Sequence, residues 1–514
     1  MATRPRAAAS RPPLVAAIDA GTTGARAIAY DLTGQLVAEV RRPYRTRSPR
    51  PGWAEQDAGD WAQSAAAALR GLAARTRARG KIRAIGLTGQ CPTMVVADSR
   101  GRPLRAGMLY RDNRAVDEAL QMRDRIGDEA MHRLTGHLPE AFHVGPKLLW
   151  IRRHEPEVFA GTRLVLQPRD VVLRHLTGLA ATDETHANAT LFFNLRQRAW
   201  DQGLLEAFNV DPALFPAALP PWAQIAELPE RAAGELGLQA GVPLVIGAAD
   251  SQCAAFGAGV TEPGPVSEMA GASSCLNSVV LSPLDDLRVT HYSHVVPDCF
   301  CTELGVNTTG AAISWAVGAL GYRGFGELAG DAERFRRRLQ RGAHGGGRTA
   351  AVDAAPLFLP YLGDGERDDP TARGGFVGLS DRHDRAALAF AVIEGVALGV
   401  RSVLTVLEQA GSPLSELRVG GGGARIHLTG QLKADLLSRP VLHLDIDPAG
   451  FGAAMLAADA AGLAGEASAA VGATLRRARK FIPSRWGSGF ERERATWFDQ
   501  VRPSAAVHSP QERI

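Results

Sequence analysis

The sequence predicts an α/β protein of two lobes, and three observations lead to this fold class. Short apolar runs of strand type alternate with helical segments along most of the 514 residues. A strand, a small-residue turn and a second strand open the chain, and the same pattern returns after residue 260. The apolar content of 45% is enough for a sizeable core in each lobe. We therefore expect lobes at 14–259 and 260–490, with disordered tails at 1–13 and 501–514.

The first lobe opens with three short runs that read as strands. These are Val15–Asp19, Ala25–Asp31 and Leu36–Arg41, separated by the turns AGTTG and LTGQ, and they predict an antiparallel meander. The alanine-rich segment Asp60–Arg79 is typical of a helix. The runs IRAIGLTGQ and VPLVIGAAD read as buried strands, the second of which ends at Asp250.

The second lobe repeats this order of elements. The run GPVSEMAGASSCLNSVVLS predicts a strand, a small-residue turn and another strand. Helices are expected in LGVNTTGAAISWAVGAL and over Arg385–Gln409. The run LRVGGGGA is a strand that ends in four glycines, and GFGAAMLAADAAGLAG is typical of a helix that packs through small residues. Mixed sheets flanked by helices follow from this alternation.

Composition excludes several classes of protein. The 58 basic residues nearly balance the 54 acidic ones, which argues against a nucleic-acid protein that relies on a basic surface. Five cysteines without zinc spacing form no disulfide framework, so we expect a cytoplasmic protein. The first residues lack the apolar region of a secretory signal. The most apolar helical run carries Glu394 and Arg401, which favours a buried helix over a membrane span.

The turn AGTTG has the composition of a phosphate site. Its glycines let the main chain approach a ligand closely, and it offers backbone N–H groups and two hydroxyls. Asp19, at the strand end, could orient Mg²⁺ through its waters, because this ion commonly takes one or two carboxylates together with phosphate oxygens. Arg26 could neutralise charge nearby. An ordinary β-turn remains the alternative interpretation.

Asp250 lies where a buried strand ends, a common position for an active-site carboxylate. The alternative is a helix N-cap, because SQCAAFG could begin a helix. The glycines of Gly420–Gly423 lie between a strand and a helical segment, and such a turn favours the close approach of a nucleotide.

In this order the motifs resemble those of the FGGY family of carbohydrate kinases, most closely its xylulokinase-like branch. The resemblance covers about Val15 to Gly465. It rests on IDAGTTGARAIAYD, PGWAEQDAGDW, KLLWIRRHEPEVF, LTGLAATDETHAN, GAADSQCAAFGAGVTEPG, ELGVNTTGAAISW, LPYLGDGERDDPTARGGFVGLS, VIEGVALGVR and VGGGGARIHLTGQLKADLLSRPV. It implies two lobes of the actin-like ATPase (ribonuclease H-like) fold, with a catalytic cleft between them.

The resemblance also implies roles for individual residues. Asp250 would be the general base that takes the proton of a sugar hydroxyl. Asp19 would be a catalytic residue that helps to place Mg²⁺. The residues implied to hold the phosphates and the nucleoside of ATP are Gly21, Thr22, Thr23, Arg26, Ser273, Gly310, Ser314, Gly422, Gly423 and His427.

Three departures from the family pattern bear on the expected site. The second phosphate motif reads AGASS, so Ala272 replaces a threonine and Ser273 or Ser274 is expected to supply the hydroxyl. Cys91–Pro92 stands where glycerol kinases carry Arg-Glu and xylulokinases Met-His, which disfavours glycerol. Ser251 stands where Asn or Gln is common. The residues expected to bind the sugar are Gln90, Cys91, Phe142, Asp250 and Ser251.

We therefore expect an ATP-dependent kinase, with Mg²⁺ as cofactor, that phosphorylates a ketopentose or a related polyol. Acceptors such as L-ribulose, erythritol or a deoxy-sugar remain open, as does a non-catalytic protein that binds sugar or nucleotide and regulates. The expected partners are the small sugar or polyol and ATP, with no nucleic acid and no membrane. A homodimer is one assembly that stays open.

Overall fold

The computed structural model describes residues 12–346, 355–363, 366, 372–484 and 487–502, which divide between two compact units. The first unit contains the residues up to Gly257 together with Tyr292–Pro297 and Ala449–Ala473. The second contains Ala258–His291, Asp298–Pro448 and the residues from Thr474 onward. The predicted α/β class is confirmed by the sheets and helices of both units.

The helices and strands are numbered in chain order. The strands are β1 Pro13–Ala20, β2 Gly24–Asp31, β3 Leu36–Pro43, β4 Glu55–Gln56, β5 Lys81–Gly89, β6 Val95–Ala97, β7 Gly107–Met108, β8 Leu164–Leu166, β9 Ala181–Asp183, β10 Phe193–Asn194, β11 Ala199–Trp200, β12 Ala217–Leu219, β13 Gln224–Glu227, β14 Pro243–Ala249, β15 Gly264–Ala270, β16 Ser274–Val280, β17 Thr290–Ser293, β18 Phe300–Val306, β19 Leu357–Leu359, β20 Gly375–Val377, β21 Leu414–Gly420, β22 Val441–His443 and β23 Arg479–Phe481. The α-helices are α1 Ala58–Thr76, α2 Val116–Ile126, α3 Asp128–Thr135, α4 Val144–His154, α5 Pro156–Gly161, α6 Pro168–Thr177, α7 Glu184–Asn188, α8 Gln202–Ala207, α9 Glu230–Leu236, α10 Asp250–Gly257, α11 Gly310–Ala319, α12 Phe325–Gly346, α13 Arg385–Gln409, α14 His427–Leu437, α15 Pro448–Ala460, α16 Ala464–Arg477 and α17 Gly487–Val501.

A six-stranded mixed sheet forms the centre of the first unit, with the strand order β13-β14-β5-β1-β2-β3. The strands β1, β2 and β3 are antiparallel neighbours, so the predicted meander is confirmed. The strands β1, β5 and β14 run parallel. Helix α1 contributes Leu69 and Leu72 to the core of this sheet. Helix α15 packs directly on β5, because a Cβ on Gly86 would overlap the carbonyl group of Ala453.

The second unit contains a seven-stranded sheet with the order β17-β18-β16-β15-β21-β22-β23. The strands β15 and β16 pair in antiparallel fashion, whereas β15, β21 and β22 run parallel. The long helix α13 begins directly after its N-cap residue, Asp384. The side chain of Asp384 accepts a hydrogen bond from the backbone N–H of Ala387 at 2.8 Å. Among the described residues, α13 alone has the length and apolar composition to cross a membrane. In its most apolar stretch of 18 residues, 83% is buried inside the protein.

The two predicted tails are only partly covered by the described residues. Pro13 already belongs to β1 and Val501 is the last residue of α17, so these two positions lie in regular elements and not in tails. The remaining residues of the predicted tails, apart from 12 and 502, lie outside the described ranges. The motif LPYLGDGERDDPTARGGFVGLS is also described only in part.

Candidate active site

Three parallel strands of the first unit end in register at one edge of the sheet. Ala20 of β1 pairs with Gly89 of β5, and Gly89 pairs with Ala249 of β14. Gln90 and Asp250 follow the last residues of β5 and β14, and the backbone N–H of Gln90 donates to the carbonyl of Ala20 at 3.0 Å. Neighbouring strands lie about 4.8 Å apart. The sheet therefore brings three predicted site features to one edge. They are the turn Gly21–Thr23, called here the phosphate turn, the loop that begins at Gln90, called here the substrate loop, and the predicted base Asp250.

The carbonyl groups of the turn at Gly21–Thr23 accept hydrogen bonds from other parts of the first unit. The hydroxyl of Tyr44 donates to the carbonyl of Gly21, and Nε2 of Gln56 donates to the carbonyl of Thr22 at 2.7 Å. Within the part of the chain that the structure describes, the backbone N–H groups of this turn donate no hydrogen bond. A turn with held carbonyl groups and unused backbone N–H groups is suited to bind an anion.

Asp19 lies at the end of β1 and is almost completely buried. Its Oδ2 accepts a hydrogen bond from Nε of Arg26 at 2.9 Å and forms an ion pair with the same guanidinium. Its Oδ1 is buried and has no hydrogen-bond partner among the described residues. Burial lowers the pKa of Arg26, but the charge of Asp19 outweighs this and leaves that pKa above its ordinary value. Asp19 thus keeps one oxygen for a further ligand.

Gln56, in the motif PGWAEQDAGDW, links the phosphate turn to the substrate loop. Its Nε2 donates to the carbonyl of Thr22 and to the hydroxyl of Thr46 at 2.9 Å. Its Oε1 accepts from Nε1 of Trp61 at 2.8 Å and from Nε2 of Gln90 at 3.0 Å. An amide side chain has two donors and two acceptor sites. All four are used in Gln56, which therefore fixes Gln90 relative to the turn.

The predicted substrate residues occupy different environments. Gln90 is buried, and its Oε1 accepts from the hydroxyl of Thr93 at 3.3 Å. Cys91 and Phe142 are half-buried. The carbonyl of Phe142 accepts a hydrogen bond from Nζ of Lys147 at 2.6 Å. Burial lowers the pKa of Lys147 to about 7, although the nearby Asp112 and Cys91 act in the opposite direction.

Asp250 is half-buried at the junction between β14 and α10. Its Oδ1 accepts a hydrogen bond from the backbone N–H of Ser251 at 2.9 Å. The hydroxyl of Ser251 is buried and donates to Oε1 of Gln252 at 3.0 Å. The carboxylate therefore stands at the first residue of a helix, at the sheet edge that also carries the phosphate turn.

In the second unit, the turn at Gly271–Ser273 contacts the start of α11. The carbonyl of Ala272 accepts hydrogen bonds from the N–H groups of Thr309 at 3.0 Å and Ala311 at 2.9 Å. A Cβ on Gly310 would overlap the carbonyl oxygen of Gly271, so only glycine fits there. Ser273 is exposed, whereas Ser274 is buried and its hydroxyl already donates to Oε1 of Glu268 at 2.7 Å. Of the two serines, Ser273 is therefore the one whose hydroxyl is accessible to a ligand.

The other residues that were predicted to bind the nucleotide also belong to the second unit. Ser314 is exposed one helical turn after Gly310 on α11. Gly423 packs on Ala270, where an added Cβ would lie 2.6 Å from the alanine Cβ, whereas Gly422 faces open space. His427 is the exposed first residue of α14, and its Nδ1 lies 2.8 Å from Nη1 of Arg479.

The described residues contain no group of three or more His, Cys, Asp or Glu side chains that could hold a metal ion. Mg²⁺ in phosphoryl transfer needs only one or two carboxylates and takes its other oxygens from water and phosphate. Oδ1 of Asp19, which has no partner within the described ranges, is a carboxylate oxygen of this kind.

The sequence interpretation missed Gln56 and Tyr44, which hold the phosphate turn. Both residues lie in or near recognisable motifs, but a glutamine or a tyrosine in a sequence does not reveal which distant residue it will contact. Gln56 contacts Thr22 and Gln90 across 34 positions of the chain in each direction. Only the pairing of β4 and the placement of α1 after it bring that amide between the two loops.

Thr22→Val is expected to weaken the use of ATP. The methyl group cannot donate to a phosphate oxygen, and one hydrogen bond to a charged group is worth about 1.5–3 kcal/mol. We expect kcat/KM for ATP to fall by about 10–100-fold, with Thr22→Ser close to the wild-type protein. The matched control is Thr33→Val in the next turn, where the hydroxyl donates only to Oδ1 of Asp31 at 2.7 Å. Unchanged ATP dependence in Thr22→Val, with a lower melting temperature, would make the turn merely structural.

Two family models match the chain. The N-terminal domain of the FGGY family of carbohydrate kinases matches residues 14–257, and the C-terminal domain of the same family matches residues 267–461. The chain is 28% identical over 458 residues to a xylulose kinase of Staphylococcus epidermidis, with 87% of each chain covered. It is 30% identical over 476 residues to a glycerol kinase of Bordetella parapertussis, with 87% of this chain and 89% of the other covered.

A solved structure gives the same result for the fold. The crystal structure of xylulose kinase from Rhodospirillum rubrum matches with a TM-score of 0.83 at 29% identity, and covers 96% of this chain and 100% of that chain. These matches confirm both the resemblance inferred from the motifs and the predicted lobes of the actin-like ATPase fold.

Proposed function

This chain belongs to the FGGY family of carbohydrate kinases, and we propose that it transfers the γ-phosphoryl group of ATP to a hydroxyl of a ketopentose. The family membership makes it a phosphotransferase that acts on a sugar hydroxyl and implies ATP as the donor. The observation that carries the proposal is the common edge of β1, β5 and β14, where Gly21–Thr23, Gln90 and Asp250 follow adjacent strand ends.

In the proposed reaction the carboxylate of Asp250 accepts the proton of the sugar hydroxyl. The oxygen of that hydroxyl attacks the γ-phosphorus, the bond from phosphorus to the bridging oxygen of ADP breaks, and ADP leaves with the electron pair. The open N–H groups of Gly21–Thr23 would hold phosphate oxygens as negative charge shifts toward ADP. Mg²⁺ bound near Asp19 would neutralise phosphate charge.

The sugar class follows from what the substrate loop offers. Within the part of the chain that the structure describes, Gln90 uses one donor site on Gln56 and one acceptor site on Thr93, so a donor and an acceptor site remain for sugar hydroxyls. Cys91 and Pro92 bring no charged group, in contrast to the Arg-Glu pair expected of glycerol kinases. The xylulose kinases among the relatives support a ketopentose, and the uncharged loop supports it over glycerol.

The experiment is an ADP-release assay with purified protein over D-xylulose, L-ribulose, ribitol, erythritol and glycerol. We expect the highest kcat/KM for D-xylulose, with measurable turnover of other pentuloses. A pocket with few polar groups discriminates weakly, because an unmatched hydroxyl leaves no protein group unpaired. A preference for glycerol would contradict the proposed acceptor. Exclusive use of one acceptor by more than about 10⁴-fold would contradict the proposed role of the loop.

Four further predictions remain proposals. The small and odd number of cysteines in so long a chain supports a cytoplasmic location. The near balance of charge supports the absence of a nucleic-acid partner. A homodimer and the lobe limits 14–259 and 260–490 also stay predictions.

A further inference from the structure

The strand that leads to Asp250 leaves the regular ladder just before its end. The parallel register of β14 on β5 shifts between Val245 and Ala248. At this bulge the N–H groups of Ile246 and Gly247 donate to carbonyls of a neighbouring loop, at 3.0 and 2.9 Å. Gly247 has a φ of 68°, and a Cβ there would overlap the carbonyl of Leu87. Bulges beside active sites re-aim the following side chain.

Side chains take over where the ladder is interrupted. Nη1 of Arg169 donates to the carbonyl of Ile246 at 2.8 Å. The hydroxyl of Thr88 donates to the carbonyl of Ala248 at 2.8 Å. The backbone N–H of Ala249, the residue directly before Asp250, donates to the hydroxyl oxygen of Thr185 at 2.8 Å. Of these three contacts, the one between Ala249 and Thr185 is nearest to Asp250 along the chain.

The orientation of the Thr185 hydroxyl is set by Asp183. Oγ1 of Thr185 donates to Oδ2 of Asp183 at 2.5 Å, and the N–H of Thr185 donates to the same oxygen at 2.6 Å. A hydroxyl has one proton and two lone pairs, so its proton is committed to Asp183 and a lone pair remains for the N–H of Ala249. Thr185 is completely buried, so water does not compete for these bonds.

Asp183 is itself held in the ionised form. Its Oδ1 lies 2.5 Å from Nδ1 of His186 and 3.0 Å from Nη2 of Arg169. Burial alone would raise the pKa of Asp183, but these charges and the hydrogen bonds from His186 and Thr185 leave it below its ordinary value. A charged acceptor strengthens the hydrogen bond that it receives. The hydroxyl of Thr185 is therefore firmly oriented.

From this chain of contacts we propose that Thr185, oriented by Asp183, is a positioning residue that fixes the place of Asp250 through the backbone of Ala249. The proposal rests on the proposed role of Asp250 as general base. It differs from a purely structural role in α7, for which Asp183 is the N-cap. A misplacement of about 1 Å in a reacting group can cost about 100-fold in rate, so the two roles predict different kinetics.

The test compares Thr185→Val, Thr185→Ser and a matched control. Thr190 is buried in the same segment, and its hydroxyl donates to the carbonyl of Ala187 at 2.6 Å and accepts from the N–H of Phe192 at 3.1 Å. We expect Thr185→Val to lower kcat for the best acceptor by about 10–100-fold, with KM for ATP unchanged. Thr185→Ser should restore kcat, and Thr190→Val should lose stability without the fall in kcat.

A second comparison separates this proposal from the assignment of the base. In an Asp250→Asn background, Thr185→Val should cause little further loss of kcat, because the group that it positions no longer accepts a proton. Wild-type turnover in Asp250→Asn would overturn the base assignment itself. An equal fall in kcat from Thr185→Val in both backgrounds, or from Thr190→Val, would overturn the positioning role of Thr185. If Thr185→Val does not fold, Thr185→Ala removes the same hydroxyl without a new methyl group and carries the same expectations.

Discussion

Asp250→Asn is expected to lower turnover by about 10²–10⁴-fold, the range for loss of a general base. The amide has nearly the shape of the carboxylate and can still accept the hydrogen bond from the N–H of Ser251, which is 2.9 Å long in the wild-type protein. It cannot take up the proton of the sugar hydroxyl. Folding and the affinity for ATP should therefore stay close to those of the wild-type protein, while kcat falls.

The measurement combines steady-state ADP release, calorimetric titration with ATP and thermal unfolding. Asp201→Asn is the matched control, because Asp201 also stands at the start of a helix and accepts from the N–H of Leu204 at 3.0 Å. This control tests whether the change of a carboxylate to an amide at a helix start affects turnover in general. An Asp250→Asn protein with the turnover of the wild type would contradict the role of Asp250 as base.

Much of the fold was predictable because its signals are local. The small-residue turns after β1 and β15 interrupt apolar runs, and each turn was placed correctly between paired strands. The helix at Arg385–Gln409 was predicted with its exact limits, since an unbroken apolar run follows the capping residue Asp384. The place of Asp19 and Asp250 at strand ends also followed from the runs that precede them.

The side chains that organise the site were not predictable, because their partners are distant in the sequence. The run VPLVIGAAD was interpreted as a regular strand. Its glycine, Gly247, is a local signal of a bulge, but the loop carbonyls and the arginine that pair with the bulge lie far away in the sequence. Arg169 follows a proline in QPRDVVLRH, where a charged residue ordinarily lies on a helix surface, yet it is completely buried against β14 and β9. The neighbours of a buried charge are set by tertiary packing, which a single sequence does not contain.

The buried position of Arg169 leads to the second large expected effect, on stability. Nη2 of Arg169 lies 2.6 Å from Oδ1 of Asp170 and 3.0 Å from Oδ1 of Asp183, and all three side chains are almost completely inaccessible. Arg169→Met would keep much of the volume but remove the positive charge between two carboxylates. Removal of one partner from a buried ion pair costs about 3–5 kcal/mol. We expect a loss of this size in the free energy of unfolding at pH 7.5.

The loss should depend on pH in a defined direction. In the wild-type protein the lowered pKa of Asp183 contributes stability above the ordinary aspartate pKa of about 3.9, and this contribution disappears as the pH falls through the lower folded pKa. Burial already raises the pKa of Asp170, and Arg169 opposes that shift. Without Arg169 both carboxyl groups bind protons more readily in the folded state than they do in the folded wild-type protein. The deficit of Arg169→Met should therefore be largest at neutral pH and shrink toward pH 5.

Urea unfolding at pH 7.5 and pH 5 measures this deficit in Arg169→Met and in the control Arg231→Met. The side chain of Arg231 is 90% exposed and pairs with Glu235 on the surface of α9 at 3.1 Å. Its removal should change stability by less than about 0.5 kcal/mol at either pH. A pH-independent deficit in Arg169→Met would assign the loss to the hydrogen bond with the carbonyl of Ile246 and to packing, and a deficit below about 1 kcal/mol would contradict a strong ion pair. The expected result instead places the charge of Arg169 among the forces that hold Asp183, and through it Thr185 and the end of β14, in place.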